Sequence, residues 1–166
     1  MTEVEFHTGV ADPLGFACRL LRKAVRRGVR VRVIAPDDTL AALDLALWTF
    51  DEHDFIPHVR VPGASEATAA RTPIWLASTV QAPAGDAPTP AVLLNLGADA
   101  PDELSGLDRL IEVVAADVDE AARGRARWRA YKARGLSITH HTAPHGAPAS
   151  AAPPAPPVSL ASSTHG

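Results

Sequence analysis

Residues 123–136 carry six cationic side chains, two aromatic side chains and no acidic side chain. They read R-G-R-A-R-W-R-A-Y-K-A-R-G-L. Guanidinium groups bind carboxylates and phosphates through paired hydrogen bonds, and an aromatic ring beside them offers an apolar surface. This composition therefore suits a partner that brings negative charge together with a bulky apolar group. Such a partner is either an acidic peptide with a large apolar residue or a single-stranded nucleic acid.

Helical spacing would place three of these cations, Arg125, Arg129 and Lys132, on one stripe. Trp128 and Tyr131 would flank that stripe. Like charges four residues apart destabilise a helix by roughly a few tenths of a kcal/mol per pair, and the segment contains no acid to offset this. The pattern therefore favours a docking surface for an acidic segment. A solvated helix face with two half-buried aromatic rings is the alternative.

A second group of large apolar side chains lies in residues 43–58, L-D-L-A-L-W-T-F-D-E-H-D-F-I-P-H. Phe50 continues the apolar stripe of a predicted helix, whereas Trp48 lies off that stripe and Phe55 follows an acidic loop. Large aromatic residues fill cores or form the centres of protein interfaces. From the sequence, core packing and a partner surface both remain open for Trp48 and Phe55.

Motifs for nucleotide binding and catalysis do not occur in the sequence. The turn after the first predicted strand, H-T-G-V-A-D, lacks both G-x-G-x-x-G and G-K-[ST], and there is no G-x-S-x-G. His7 and Thr8 at the end of that strand are either a catalytic pair or ordinary polar residues. Four of the seven histidines lie at or beyond position 140, without the Cys or carboxylate spacing of a structural zinc site. We therefore expect a binding module with no metal, no cofactor and no enzymatic activity.

Composition indicates one domain followed by a tail. The 166 residues are 46% hydrophobic, which is enough for a single core. Residues 143–166 contain six Pro, seven Ala and no Asp, Glu, Lys or Arg. Because such a segment cannot bury enough apolar surface to offset its ordering entropy, we predict a folded domain at 1–142 and a disordered tail at 143–166.

The single cysteine and the absence of long apolar runs indicate the compartment. Cys18 excludes an intrachain disulfide, and its place on an apolar helix face predicts a buried, inert thiol. The N-terminus does not resemble a secretory signal, and no run of 18 apolar residues predicts a membrane span. The sequence therefore predicts a protein of a reducing cytoplasm that has no membrane contact.

The charge is unevenly distributed, although the net charge is only −3. Residues 13–32 hold seven cations and no acid, whereas residues 33–122 hold three Arg and sixteen acids. Proteins that bind nucleic acid through the backbone alone are usually basic overall. Local basic surfaces on an acidic protein favour a protein partner instead, and direct binding of single-stranded nucleic acid is the alternative.

The order of apolar runs predicts the fold class. A strand at 3–8, a helix from Asp12-Pro13 to Gly28 and a strand at 29–35 form a βαβ unit. Further strands are predicted at 74–78, 91–96 and 110–115, the last of these being the final strand. A final helix would end near Gly135, with the alanines at positions 122, 126, 130 and 133 facing the sheet. The sum is a three-layer α/β domain with about five mainly parallel strands.

Two of these segments resemble the chi subunit family of bacterial DNA polymerase III. The family carries a similar L-D-x-A-L-W, a short acidic loop and F-[VI]-P-H, which correspond to residues 43–48 and 55–58. It also carries R-x-R-[aromatic]-[KR]-A-Y-[KR] followed by Gly, which corresponds to residues 125–132 and Gly135. The resemblance spans residues 2–142, and the tail from residue 143 has no counterpart.

The resemblance implies a Rossmann-like fold without a phosphate-binding loop and a role in DNA replication. It implies a non-catalytic subunit of the DNA-directed DNA polymerase complex that links two proteins. One partner is the psi subunit of the clamp loader. The other is the acidic, phenylalanine-ended C-terminal tail of single-stranded DNA-binding protein (SSB), so that contact with single-stranded DNA is indirect.

The resemblance also assigns residues to the two partners. The SSB-tail site falls on Arg125, Trp128, Arg129 and Val114, to which the cationic stripe adds Lys132. The psi site falls on Trp48 and Phe55.

One position departs from the family pattern. Where the family has a further Lys one turn before the tail site, this chain has Ala121. Two consequences are open: the site is weakened, or Arg123 substitutes for the missing cation.

Overall fold

The computed structural model describes residues 2–79 and 88–142, so the tail predicted at 143–166 lies outside the described residues. Within these ranges there are seven strands and four helices. The strands are β1 (Glu3–Val10), β2 (Val31–Ile34), β3 (His58–Arg60), β4 (Ile74–Ala77), β5 (Val92–Asn95), β6 (Arg109–Ala115) and β7 (Ile138–Thr142). The helices are α1 (Pro13–Arg26), α2 (Asp37–Thr49), α3 (Glu66–Arg71) and α4 (Val118–Ala133).

All seven strands form one parallel sheet in the order β3-β4-β2-β5-β6-β1-β7. Helices α1 and α2 cover one face, and α4 covers the other. The three-layer α/β fold predicted from the sequence is confirmed. The predicted strand count of about five is too low, because β3 and β7 are also part of the sheet.

The two missed strands lie at the edges of the sheet and have weak sequence signals. Strand β3 has only three residues and follows Pro57, which interrupts its apolar run. Strand β7 reads I-T-H-H-T and is mostly exposed. An edge strand with one covered face need not be apolar, so its sequence resembles that of a polar loop. The sequence predicted β6 as the final strand, and this is wrong because β7 follows it.

Helix α1 begins and ends where the sequence predicted. The Asp12 side chain accepts a hydrogen bond from the backbone N–H of Gly15, and Pro13 takes the first helical position. These are favourable residues for a helix start. The helix buries Cys18, which is 1% exposed, and burial raises the pKa of its thiol. The prediction that Cys18 is buried is confirmed, and its low reactivity stays a prediction.

Helix α4 packs on the sheet through a different face from the predicted one. Gly124, Arg127 and Tyr131 are buried, whereas the alanines at positions 122, 126, 130 and 133 are all exposed. Gly124 allows close packing, since a Cβ there would lie 2.7 Å from Val114 Cγ1. The predicted alanine face is wrong because Arg127 turns toward the sheet, where it pairs with the buried Glu112.

Among the helices in residues 2–79 and 88–142, none combines the length and the apolar character that a membrane span requires.

Candidate functional site

A cavity of about 530 Å³ lies between α4 and the C-terminal ends of β1, β6 and β7. Apolar side chains form its walls, chiefly Phe6, Val114 and Trp128. The exposed side chains of Arg125 and Arg129 line the same cavity from α4. The arrangement combines an apolar slot with two cations, which can hold an apolar group that is attached to an anion.

The guanidinium groups of Arg125 and Arg129 have no ion pair or hydrogen bond with any of residues 2–79 or 88–142. Other arginines of the same basic segment are engaged. Arg123 pairs with Glu120 at 2.6 Å, and Arg134 donates to the backbone oxygen of Pro101 at 2.8 Å. Two arginines are thus left for a ligand, and both lie at the cavity.

Trp128 is the centre of the apolar wall. Its ring packs on Phe6 at 5.0 Å between centroids and meets His140 edge to face at 5.3 Å. The Lys132 ammonium lies 5.9 Å from the centre of the same ring. Because Trp128 is half buried, it is held in place from behind while one side remains open to the cavity.

A buried polar network beneath α4 sets the orientation of the helix. The Glu112 carboxylate is fully buried and accepts hydrogen bonds from Asn95, Arg127 and Tyr131. Burial raises the pKa of Glu112, while the cation of Arg127 and the Tyr131 hydroxyl act in the opposite direction. Burial and the adjacent Glu112 carboxylate raise the pKa of Tyr131. Because Arg127 turns inward, Arg125 and Arg129, two residues away on either side, lie on the exposed part of α4, where they line the cavity.

The structure brings together four of the six residues predicted for tail binding. Val114, Arg125, Trp128 and Arg129 line the cavity, as does Ala121. Lys132 lies beside the Trp128 ring, next to the cavity. These residues therefore lie together at one cavity, and their role in binding stays a prediction.

Arg123 is the exception among these six residues. It lines a separate cavity near Asp37 and Asp99, and it is paired with Glu120. It therefore lies on the other side of α4 from the cavity that contains Ala121. The geometry gives no support to the expectation that Arg123 substitutes for the cation missing at Ala121.

A second candidate surface, formed by Leu45, Trp48 and Phe55, lies on the α1 and α2 side of the molecule. These side chains are 67%, 59% and 58% exposed. The rings of Trp48 and Phe55 are 5.2 Å apart. Because both rings are exposed, core packing, one of the two alternatives from the sequence, is wrong for Trp48 and Phe55. Binding of a partner at these rings stays a prediction.

His58 supports this second surface from below. Its side chain is 1% exposed and meets the Trp48 ring edge to face at 5.1 Å. Nε2 lies 2.7 Å from Asp44 Oδ1, and Nδ1 lies 2.7 Å from the Ile56 carbonyl oxygen. Since two acceptors hold the His58 ring, it fixes the position of Trp48.

His7 and Thr8 do not form a catalytic pair. As neighbours in β1 they point to opposite faces of the sheet. His7 packs beside Phe16 of α1, whereas the Thr8 hydroxyl is 2.7 Å from His140 Nε2 on the α4 side. The alternative of ordinary polar residues at a strand end is the one that the geometry supports.

Several residues of the two surfaces were missed by sequence reasoning. Leu45 belongs to the second candidate surface. Its apolar side chain lies off the core stripe of α2, and this position could have indicated its exposure from the sequence. His140 and Thr142 line the cavity from β7. They could not be placed, because β7 itself was not predicted.

Comparison with known proteins shows where the chain belongs. The family model of the DNA polymerase III chi subunit, HolC, matches residues 1–139. The DNA polymerase III subunit chi of Pseudomonas aeruginosa is similar, with 32% identity over 149 residues. That alignment covers 87% of this chain and 99% of the Pseudomonas protein.

Proposed function

The chain belongs to the DNA polymerase III chi subunit family and is thus a replication accessory protein, and we propose that it works as an adaptor between two protein partners. On this proposal the cavity beside α4 binds the acidic C-terminal tail of SSB. The surface of Leu45, Trp48 and Phe55 binds the psi subunit, which connects the chain to the clamp loader. We expect no catalytic step in either role.

The observation that carries the proposal is the pair of unengaged arginines beside an apolar cavity. A peptide that ends in Phe presents a ring and a carboxylate only a few atoms apart. The ring can fill the slot between Val114 and Trp128 while the carboxylates meet Arg125 and Arg129. Guanidinium groups suit this role because they hold carboxylates through two parallel hydrogen bonds.

The exposure of the cations sets the expected strength of binding. Arg125 and Arg129 are exposed, and charge pairs at a protein surface are screened over about 8–10 Å at physiological salt. Binding should therefore be moderate in strength and weaken as salt rises. Contacts of this kind suit exchange between partners more than permanent assembly.

The two surfaces lie on opposite faces of the sheet. The cavity is formed by α4 with β1, β6 and β7, whereas Trp48 belongs to α2 on the other face. One protein can therefore contact both partners at once without competition for the same residues. This separation supports the adaptor role.

The proposal is tested by titrating the protein with a fluorescent peptide that is rich in Asp and ends in Phe, at low and high salt. Arg125→Glu and Arg129→Glu should each abolish binding. Arg123→Glu is the matched control, since it makes the same charge change on the same helix outside the cavity, and it should bind nearly as wild type. A peptide whose final Phe is replaced by Ala should also bind poorly.

Two outcomes would contradict the tail-binding proposal. If Arg123→Glu weakens binding as much as Arg125→Glu, only the general charge of α4 is being detected. If a single-stranded oligonucleotide binds as tightly as the peptide, and Arg125→Glu removes that binding too, the alternative of direct nucleic-acid binding is favoured.

A further inference from the structure

Three potential metal ligands meet on the face of the sheet opposite the cavity. Glu5 and His7 are two residues apart on β1, so their side chains share one face. His141 of β7 is paired directly with His7. The Glu5 Oε2 and His7 Nε2 atoms are 3.5 Å apart, and the two imidazole rings stack at 4.7 Å. One ligand atom from each residue lies within 4.8 Å of the other two.

We propose that Glu5, His7 and His141 form a binding site for a divalent transition metal ion of the zinc, nickel and copper class. Imidazole nitrogens favour these ions, and a carboxylate completes a common ligand set for them. Three protein ligands would leave a further position for water.

Glu5 is already held in the orientation that coordination requires. Its Oε1 accepts a hydrogen bond from Arg109 at 2.7 Å, which leaves Oε2 turned toward His7. Hydrogen bonds that orient a ligand from outside are a regular feature of metal sites.

Only a small rearrangement would bring the ligands into place. Bonds of about 2.0–2.2 Å to zinc put neighbouring ligand atoms roughly 3.4 Å apart in a tetrahedral site. The separations in the cluster reach 4.8 Å, so the ring of His141 must turn inward. His141 is exposed on an edge strand and has room to do so.

Cations near the cluster will moderate the affinity. Lys23 and Arg27 of α1 line a small cavity together with Glu5, His7 and Arg109. Their charges repel a divalent ion, although solvent screens them in part. The expected affinity is therefore micromolar and not that of a fully enclosed structural site.

Metal binding would connect β7 to β1 and so affect the opposite face. Along β7, His141 points toward the cluster and His140 points toward Trp128 of the cavity. An ion bound by His7 and His141 would hold the edge strand in place, and with it the cavity wall formed by His140 and Thr142. We expect the ion to tighten binding of the acidic peptide, and this step alone rests on the proposed function.

The experiment is calorimetric titration of the full chain with ZnCl₂, without peptide, in a His145→Ala/His165→Ala background that removes the tail histidines. We expect one ion per chain. His141→Ala and His7→Ala should each weaken binding by at least about tenfold, the scale on which loss of even supporting groups affects metal sites. His140→Ala is the matched control on the same strand, and it should retain binding.

Titration with Co²⁺ adds a spectroscopic test, because a site with imidazole ligands gives visible absorption that should disappear in His141→Ala. His141 is exposed, so this variant is expected to fold even if His7→Ala does not. Absence of Zn²⁺ binding, or equal losses in His140→Ala and His141→Ala, would overturn the proposal. Because no peptide is present, failure of the proposed tail binding would leave this result unaffected.

Discussion

Arg127 donates from Nε to Glu112 Oε2 at 2.9 Å inside the protein, where the two residues are 5% and 0% exposed. This ion pair joins α4 to β6 and fixes the rotation of the helix about its axis. In a segment with six cations, several rotations of the helix would otherwise be similar in energy. Burial of Arg127 therefore determines which arginines face the cavity.

Arg127→Met should strongly destabilise the protein because it leaves the Glu112 carboxylate buried without a cation. Breaking a buried pair by removing one partner typically costs about 3–5 kcal/mol. Urea unfolding should show this loss. The double variant Glu112→Gln/Arg127→Met should recover part of it, since the buried charge is also removed. Arg123→Met, on the exposed side of α4, should change stability by no more than about 0.5 kcal/mol.

If Arg127→Met were as stable as Arg123→Met, the pair would contribute little and the helix orientation would need another explanation. Peptide affinity gives an independent measure. A variant that folds but presents α4 differently should bind the acidic peptide more weakly, although Arg125 and Arg129 are intact.

Ala121→Lys should strengthen binding of the acidic peptide. Ala121 lines the cavity, whereas Arg123 points away from it, so the position lacks a cation. An exposed charge pair contributes about 0.2–1 kcal/mol, which corresponds to a gain of up to about fivefold. Repulsion from Arg125, four residues later, will offset part of that gain. The measurement is peptide titration at low salt, where the difference should be largest.

Ala122→Lys provides the control for this gain. Residue 122 is exposed on α4 and does not line the cavity, yet the substitution adds the same charge. If both variants bind the peptide more tightly by the same factor, the effect is one of net charge. A gain confined to Ala121→Lys would locate the peptide in the cavity.

The sequence predicted which basic residues of α4 lie together, but it did not predict which face of α4 packs on the sheet. These residues are close together in α4, so helical spacing alone placed Arg125, Trp128 and Arg129 on one side. Which side faces the sheet was not predictable, because it depends on Glu112 in β6. Burial of an arginine requires a partner that is distant in the sequence, and no local pattern indicates it.

The edge of the sheet was missed for a related reason. Strand β7 is recognisable by its pairing with β1, where Ile138 lies opposite Val4. Its own residues are mostly polar and exposed, so the alternation that marks a half-buried strand is absent.

The exposure of Trp48 could not be predicted from the sequence. A tryptophan next to the apolar stripe of a helix is compatible with a core position and with an interface.

Trp48→Ala and Phe55→Ala should weaken binding to the psi subunit while leaving the fold intact. Both side chains are more than half exposed, so their loss removes few core contacts. Aromatic residues at the centre of an interface often contribute at least about 2 kcal/mol, or roughly thirtyfold in affinity. Calorimetry with psi, together with urea unfolding, checks both parts.

Leu47→Ala is the contrasting variant for the same helix. Leu47 is 2% exposed within the core, and truncation of such a residue costs about 2–5 kcal/mol of stability. If Phe55→Ala destabilises the domain as much as Leu47→Ala does, its ring has a structural role. Unchanged affinity for psi in both aromatic variants would refute the assignment of this surface, while the tail-binding proposal would remain.

Protonation of His7, at the edge of the sheet, should lower the free energy of unfolding as pH falls. Burial, His141 and Arg109 lower the pKa of His7 below 6.5, its value in an unfolded chain. As pH falls, the unfolded state therefore binds the proton before the folded state does, and the free energy of unfolding decreases. His7→Gln removes this contribution, so with a chelator present its stability should fall less than that of wild type between about pH 7.5 and about pH 5.5. Urea unfolding across that range measures the difference, and His7→Asn should behave in the same way. Equal losses in wild type and both variants would mean that protonation of His7 does not contribute to the acid sensitivity of the fold.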